Sequence, residues 1–185
     1  MADAALTPTL YGESVVLRPV TAEDAGGLVD LLHDHDARRL TGTHGQVRPG
    51  AIERAVDYYS SRADDDSTMH LAITDRQTRA FIGEAVLFDI DRDNLSCSFR
   101  IALVGPAVTG RGHGSEATRL VVDHALGPLA LHRIELEVLA FNPRARRVYE
   151  KVGFLSEGLK RHAVRWDGEW IDVEIMAIVA SEGAP

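Results

Sequence analysis

The sequence predicts a single α+β domain, a mixed and mostly antiparallel sheet flanked by helices. Three observations predict it. Apolar residues alternate in short runs separated by turn residues through the first half, as in an antiparallel meander. After Gly105-Pro106 the pattern changes to strand, helix, strand, helix. Near the end, Asp167-Gly168 forms a two-residue hairpin turn between strands over 161–166 and 170–179.

Element by element, Ser14 to Leu17 reads as a first strand. Thr21-Ala22-Glu23-Asp24 resembles a capping box, with Asp24 in the place of Glu or Gln. Ala25, Leu28, Val29 and Leu32 follow at helical spacing. Residues 33–50 are polar and glycine-bearing and read as a loop with room for a helical turn. Pro49 opens a second helix, striped by Ile52, Ala55, Val56 and Tyr59. Met69, Leu71 and Ile73 alternate in one strand, Phe81 to Phe88 forms the next, and Phe99, Ile101 and Leu103 the third. A helix from Ser115 to Leu126, a strand with Ile134, Leu136 and Val138, and a helix from Pro143 to a stop at Gly153 complete the second half. The predicted order is β-α-α-β-β-β-α-β-α-β-β. One domain spans 11–180, between a loose tail over 1–10 and a short one over 181–185.

The bulk properties exclude several classes. The chain has 185 residues, enough for a real core, with 45% hydrophobic and 26% charged residues. No apolar run approaches the ~18 residues of a membrane span, and the start lacks a signal peptide's regions. Cys97 is the single cysteine, so no internal disulfide forms, which fits a reducing cytoplasm. A net charge of -8 argues against nucleic acid as the main partner and is compatible with a cationic amine.

Between strand and helix runs Val108-Thr109-Gly110-Arg111-Gly112-His113-Gly114-Ser115-Glu116-Ala117. Glycines let the backbone turn sharply and approach a ligand closely. The helix start adds unpaired N–H groups and a positive dipole end, an arrangement suited to a pyrophosphate, with Arg111 as an added charge. Three readings compete at this point. A P-loop needs Lys-Ser/Thr after the glycines, and Ser115-Glu116 is not that pair. A dinucleotide fingerprint wants its third glycine one residue later than Gly114, although Glu135 and Glu137 follow at about the right distance. The third reading is a glycine-rich connection without a ligand.

The loop is followed by Leu131-His132-Arg133-Ile134-Glu135-Leu136-Glu137-Val138 and then by Asn142-Pro143-Arg144-Ala145-Arg146-Arg147-Val148-Tyr149-Glu150-Lys151-Val152-Gly153-Phe154. This combination resembles the GNAT superfamily of N-acetyltransferases, and within it the branch that includes ribosomal-protein N-terminal acetyltransferases. The family's acyl-CoA loop, Gln/Arg-x-x-Gly-x-Gly/Ala, falls on Thr109 to Gly114, with Thr109 departing from the usual first residue. The helix ending Tyr-Glu-Lys-x-Gly-Phe matches residues 142–154. Val16-Leu17-Arg18-Pro19 and the terminal hairpin near Met176 also look like this branch; residues 33–62 match nothing usable.

The resemblance implies acetyl-CoA as co-substrate, no metal, and a small-molecule amine or a protein N-terminus as acceptor. Dimers are common in the family, so a homodimer stays open. The amides of Arg111, Gly112, His113, Gly114 and Ser115 would hold the pyrophosphate, with Thr109 and Gly110 in the same loop. The strand carrying Ile101 and Leu103 would hold the pantetheine arm and the acetyl carbonyl. It would splay from the strand of Ile134 to admit the cofactor. Asn142 would contact the cofactor arm or brace the loop around it. Arg144, Arg146 and Arg147 would meet the phosphates or solvate their helix face; Arg147 is carried forward as the phosphate contact.

Acetyl transfer needs a neutral amine, a donor for the developing oxyanion and a thiolate that can leave. Tyr149 matches the family's general acid, while its periodicity with Ala145, Val148 and Val152 by itself reads as core. Glu84 shares a strand face with Ile82, Val86 and Phe88; a carboxylate among apolar neighbours has its pKa raised, which suits a base. Ser98 stands where many relatives carry a glutamate and would order a proton-accepting water. Asp172 and His70 are outside candidates with blander structural readings. His33-x-His35 does not share a helix face and makes a poor metal site. Cys97 reads as a buried small side chain, and Asp64-Asp65-Asp66 as a solvated loop. The acceptor groove falls to the helices between Thr21 and Ser61, where His33, His44, Tyr58 and Tyr59 are available. A non-catalytic acyl-CoA-binding module and a nucleotide-binding oxidoreductase are the alternatives.

Overall fold

The structure, a computed structural model, describes residues 7–44, 47–61, 67–105 and 110–180. Thr109, the Asp64-Asp65-Asp66 run and most of both predicted tails lie outside the described residues. Eight strands form one sheet: β1 (Leu10–Tyr11), β2 (Val15–Pro19), β3 (Met69–Asp75), β4 (Phe81–Asp91), β5 (Ser96–Leu103), β6 (Arg133–Leu139), β7 (Leu155–Trp166) and β8 (Glu169–Val179). Their order across the sheet is β1-β2-β3-β4-β5-β6-β8-β7. Every neighbouring pair is antiparallel except β5 and β6. The helices are α1 (Ala25–His33), α2 (His35–Thr41), α3 (Ala51–Ser60), α4 (His113–Leu126) and α5 (Pro143–Val152). This is the predicted mixed, mostly antiparallel sheet flanked by helices, in one domain.

Alternation on the strands distributes the core between two sheet faces. Leu71, Ile73, Leu87 and Phe99 pack in one cluster with Ala117, Val121 and Ala125 of α4 and with Tyr149 and Phe154. On β3, Ala72 belongs to a different cluster, with Val20 and Tyr59 of α3. Thus α4 and α5 cover one face, and α3 with its neighbours covers the other. Among the described residues no helix is long and apolar enough to cross a membrane.

The Thr21–Asp24 motif opens a 3-10 turn before α1, with Thr21 N–H donating to Asp24 at 2.9 Å. Arg18 grips the same carboxylate at 2.7 and 2.8 Å; these bonds outweigh burial and hold its pKa below the ordinary range.

Two expectations need correction. Residues 33–50 are not simply a loop, because α2 occupies His35–Thr41. Asp34 caps it, its Oδ1 accepting from Asp36 N–H at 2.9 Å and Ala37 N–H at 3.0 Å, and Gly42 ends it at φ 64°. Asp34 Oδ2 also accepts the Gly105 N–H at 2.8 Å, tying α2 to the exit of β5. Asp34→Ala is expected to cost about 1–2 kcal/mol through the lost cap, read as a lower urea midpoint at unchanged slope. The second correction concerns β7, which starts at Leu155, six residues earlier than the turn pattern places it. Its register against β8 shifts at Ser156/Gly158 and Lys160/Val164. Asp172 Oδ1 accepts the His162 N–H at 2.8 Å across the second shift, a structural pairing.

Candidate functional site

The site begins where two strands part. β5 and β6 are paired only at Ser96↔Arg133, Cys97↔Ile134 and Ser98↔Glu135. Beyond that point β5 stays paired with β4 as far as Leu103↔Gly83, and β6 stays with β8 as far as Leu139↔Val173. Their facing edges therefore diverge, and backbone N–H and C=O groups there need partners from elsewhere. A cavity of about 870 Å³ fills the gap, lined by Phe99 to Leu103 on one side and Leu136 to Leu139 on the other. That volume lies near the top of the roughly 300–1,000 Å³ range of small-molecule sites.

The glycine turn and the start of α4 close one end. Gly110 (φ 83°) and Gly112 (φ 91°) adopt left-handed conformations that favour glycine. Gly112 is the N-cap, so the first-turn amides of α4 have no intrahelical partner. Gly110, Gly112, Gly114 and Ser115 all line the cavity. A Cβ on Gly110 would lie 3.3 Å from the Arg144 guanidinium, which therefore stands over the turn. Free amides at a 14-residue helix start, a glycine cradle and an arginine form a donor set that fits a pyrophosphate.

The side wall is α5. Asn142 caps it, Oδ1 accepting the Ala145 N–H at 3.1 Å, Pro143 follows, and Gly153 (φ 118°) ends it. Asn142, Arg144, Ala145, Val148 and Tyr149 line the cavity. Tyr149 is 7% exposed, its ring edge-on to Phe99 and Phe154 at 6.5 and 5.9 Å. Burial pushes its hydroxyl up to about 12. Cys97, two residues before the open part of β5, is also buried, and burial pushes its thiol up to about 12.

The structure gathers most of the sequence-predicted residues around this cavity: Ser98, Ile101, Leu103, Gly110, Gly112, Gly114, Ser115, Asn142 and Tyr149. Others stand elsewhere. Arg111 is exposed at the turn without lining the cavity. His113 contributes a backbone to the helix start, but its side chain is buried off the cavity. Arg147 is exposed off the cavity, and Arg144 takes the expected place. His33, His44, Tyr58 and Tyr59 do not line it; His44 packs instead on Trp166, ring centroids 5.2 Å apart. Among the described residues no three His, Cys, Asp or Glu side chains gather to hold a metal.

Glu84 is the largest correction. It is not among apolar neighbours and does not line the cavity. Buried at 5% exposure, its Oε2 accepts from Tyr59 Oη at 2.9 Å and lies 2.7 Å from His70 Nε2; its Oε1 accepts from Arg100 at 3.3 Å. Burial alone would raise its pKa, but His70, Arg100 and Tyr59 outweigh burial and hold it below the ordinary carboxylate range. A carboxylate so held is a poor proton acceptor.

Sequence reasoning missed two groups at the site. Leu40, Thr41 and Gly42 bring α2 to the cavity, and the Asp34 and Gly42 caps were the signal for that helix. Arg100 also lines it, and alternation on β5 puts Arg100 on the face of Ser98.

Residues 14–155 match the family described as an acetyltransferase (GNAT) domain. A probable N-acetyltransferase, YjcK of Bacillus subtilis, is 32% identical over 176 residues, covering 92% of this chain and 96% of that protein. A spermidine N(1)-acetyltransferase of Vibrio cholerae is 29% identical over 132 residues, 71% of this chain and 75% of the relative. A ribosomal protein uS5-alanine N-acetyltransferase of Escherichia coli is 21% identical over 174 residues, 85% and 90% of the two chains. In fold, the chain superposes on a spermidine N-acetyltransferase from Vibrio cholerae in complex with CoA and spermine, with a TM-score of 0.83, 23% identity, and coverage of 92% and 98%.

Proposed function

The chain belongs to the GNAT acetyltransferase family, and on that premise we propose that it acetylates a primary amine by direct attack within a ternary complex. It is an N-acetyltransferase with acetyl-CoA as co-substrate. The observation that carries the reading is the parting of β5 and β6 beside Tyr149 and the glycine turn.

Acetyl-CoA supplies a thioester whose carbonyl carbon takes the amine nitrogen and whose sulfur leaves. The amides of the Gly112 to Ser115 turn and Arg144 hold the pyrophosphate. The free edge of β5, with Ile101 and Leu103, holds the extended arm by main-chain hydrogen bonds, as an added strand would be held. Backbone N–H groups on that edge stabilise the carbonyl oxygen as it gains charge. Tyr149 gives its proton to the departing sulfur. Burial pushes the phenol up to about 12, so its proton passes as the C–S bond breaks and charge develops on the sulfur. Ser98, at the point of parting, orders the water that takes the proton lost by the amine.

The acceptor is a small-molecule amine or a protein N-terminus. The higher identity to a spermidine acetyltransferase than to a ribosomal-protein acetyltransferase supports the small-molecule reading over the ribosomal branch. The test is thiol release from acetyl-CoA across peptides, polyamines, amino acids and aminoglycosides, with CoA binding measured alongside. Release with one amine class is expected. Binding with no release from any amine would leave a non-catalytic acyl-CoA module; no binding would remove the reading.

A further inference from the structure

Arg100 lies two residues past Ser98, the last residue of β5 that pairs with β6. It lines the cavity on the face from which Glu84 projects, opposite Val86 across the β4–β5 pair. Its side chain is half exposed. Among the described residues the guanidinium makes one hydrogen bond, from Nη2 to Glu84 Oε1 at 3.3 Å. Four of its five N–H donors are left over.

Glu84 is itself immobilised. Tyr59 and His70 both bond its Oε2, one from α3 and one from β3, and it is almost wholly buried. The carboxylate cannot swing toward the cavity, and it fixes the arginine from below while leaving most of the fork open. This explains a buried carboxylate that the chemistry of acetyl transfer does not use.

The other charges on the lining are largely answered. Glu135 pairs with Arg133 at 3.1 Å, and Glu137 pairs with Lys160. Asp89 is exposed at the rim. Arg144 and Lys151 belong to the α5 wall, and Arg144 stands at the glycine turn. Arg100 is thus the cation on the β5 wall beside the parting point.

We infer that Arg100 binds a carboxylate of the acceptor, so that the preferred acceptor is a primary amine that also carries a carboxylate, an amino-acid-like molecule and not a polyamine. This rests on the acetyltransferase reading and names its substrate class. A guanidinium fork matches a carboxylate in two parallel hydrogen bonds. A polyamine brings only cations to that fork and is repelled by it. Two strand residues span roughly 7 Å, so an amine beside Ser98 reaches Arg100 with a carboxylate a few bonds away. Glu84 acts as the positioning residue.

The experiment compares acids with their own amides. β-Alanine, 4-aminobutyrate and glycylglycine, each beside its carboxamide, and spermidine are offered to the whole protein with acetyl-CoA, and thiol release is followed. The wild type is expected to show kcat/KM roughly ten- to hundredfold higher for at least one acid than for its amide. Arg100→Gln raises KM for the acid at least about tenfold more than for its amide, so that the preference is lost. Arg100→Lys restores part of it. Glu84→Gln raises KM for the acid alone. Equal rates for acids and amides, spermidine as the best acceptor, or an Arg100→Gln loss shared by acid and amide would overturn the inference while the acetyltransferase reading stands. Absence of thiol release with every amine defeats the acetyltransferase reading itself, and this inference with it.

Discussion

Tyr149→Phe is expected to lower kcat for acetyl transfer about a hundredfold, the low end of what a positioned acid contributes, with CoA affinity unchanged. The substitution removes one oxygen from a ring held edge-on between Phe99 and Phe154, so the packing of α5 against β5 persists. No hydrogen-bond partner contributes to the raised pKa of the hydroxyl, and burial is its cause. Its loss therefore leaves no buried donor or acceptor stranded. Single-turnover rates and CoA titrations on the same preparation separate the two effects. A variant with the parent's kcat would take Tyr149 out of the chemistry and return it to the core role that its spacing with Ala145 and Val148 also describes.

Glu84→Leu is expected to cost about 3–5 kcal/mol of stability, the range for breaking a buried charged pair from one side. It leaves the Tyr59 hydroxyl and the His70 Nε2 side of the ring buried with no acceptor. Glu84→Gln keeps an acceptor oxygen and should cost less. The pH dependence has a defined sign. The carboxylate of Glu84 is held below its unfolded value, so its contribution is complete above that value and is lost as pH falls through the folded one. The stability gap between the parent and Glu84→Leu should therefore be widest near neutrality and narrow below about pH 4. Thermal or urea unfolding of both proteins from neutral to acid pH checks this. A gap that widens toward acid would mean that Glu84 is not the buried anion of the network.

The parts of this fold that sequence could read are those with local causes. Asn142, Pro143 and Gly153 announce both ends of α5 within a dozen residues, β3 declares itself by alternation, and β4 by a mostly apolar run between turn residues. The glycine turn was legible for the same reason, since φ values near 85° at Gly110 and Gly112 belong to the residue type. α2 was not, because seven residues with Ala37 and Leu40 alone as apolar positions give no periodicity. The first half of β7 is exposed throughout, so no alternation marks it. Arg144 and Arg147 are three residues apart, neighbours on the helix surface, so spacing alone did not separate them; only the position of the cavity does. Glu84 shows where such reasoning stops. Alternation gave its strand face, but its environment is set by Tyr59, His70 and Arg100, which arrive from 25 and 14 residues earlier and 16 later. Nothing in the spacing around Glu84 records that meeting.

A crystal structure of the protein grown with CoA tests the central claim most directly. The arm is expected extended between Phe99–Leu103 and Leu136–Leu139, the pyrophosphate on the amides of Gly112 to Ser115 beside Arg144, and the sulfur within hydrogen-bonding reach of the Tyr149 hydroxyl. CoA bound anywhere else, or a sulfur facing away from Tyr149, would contradict it.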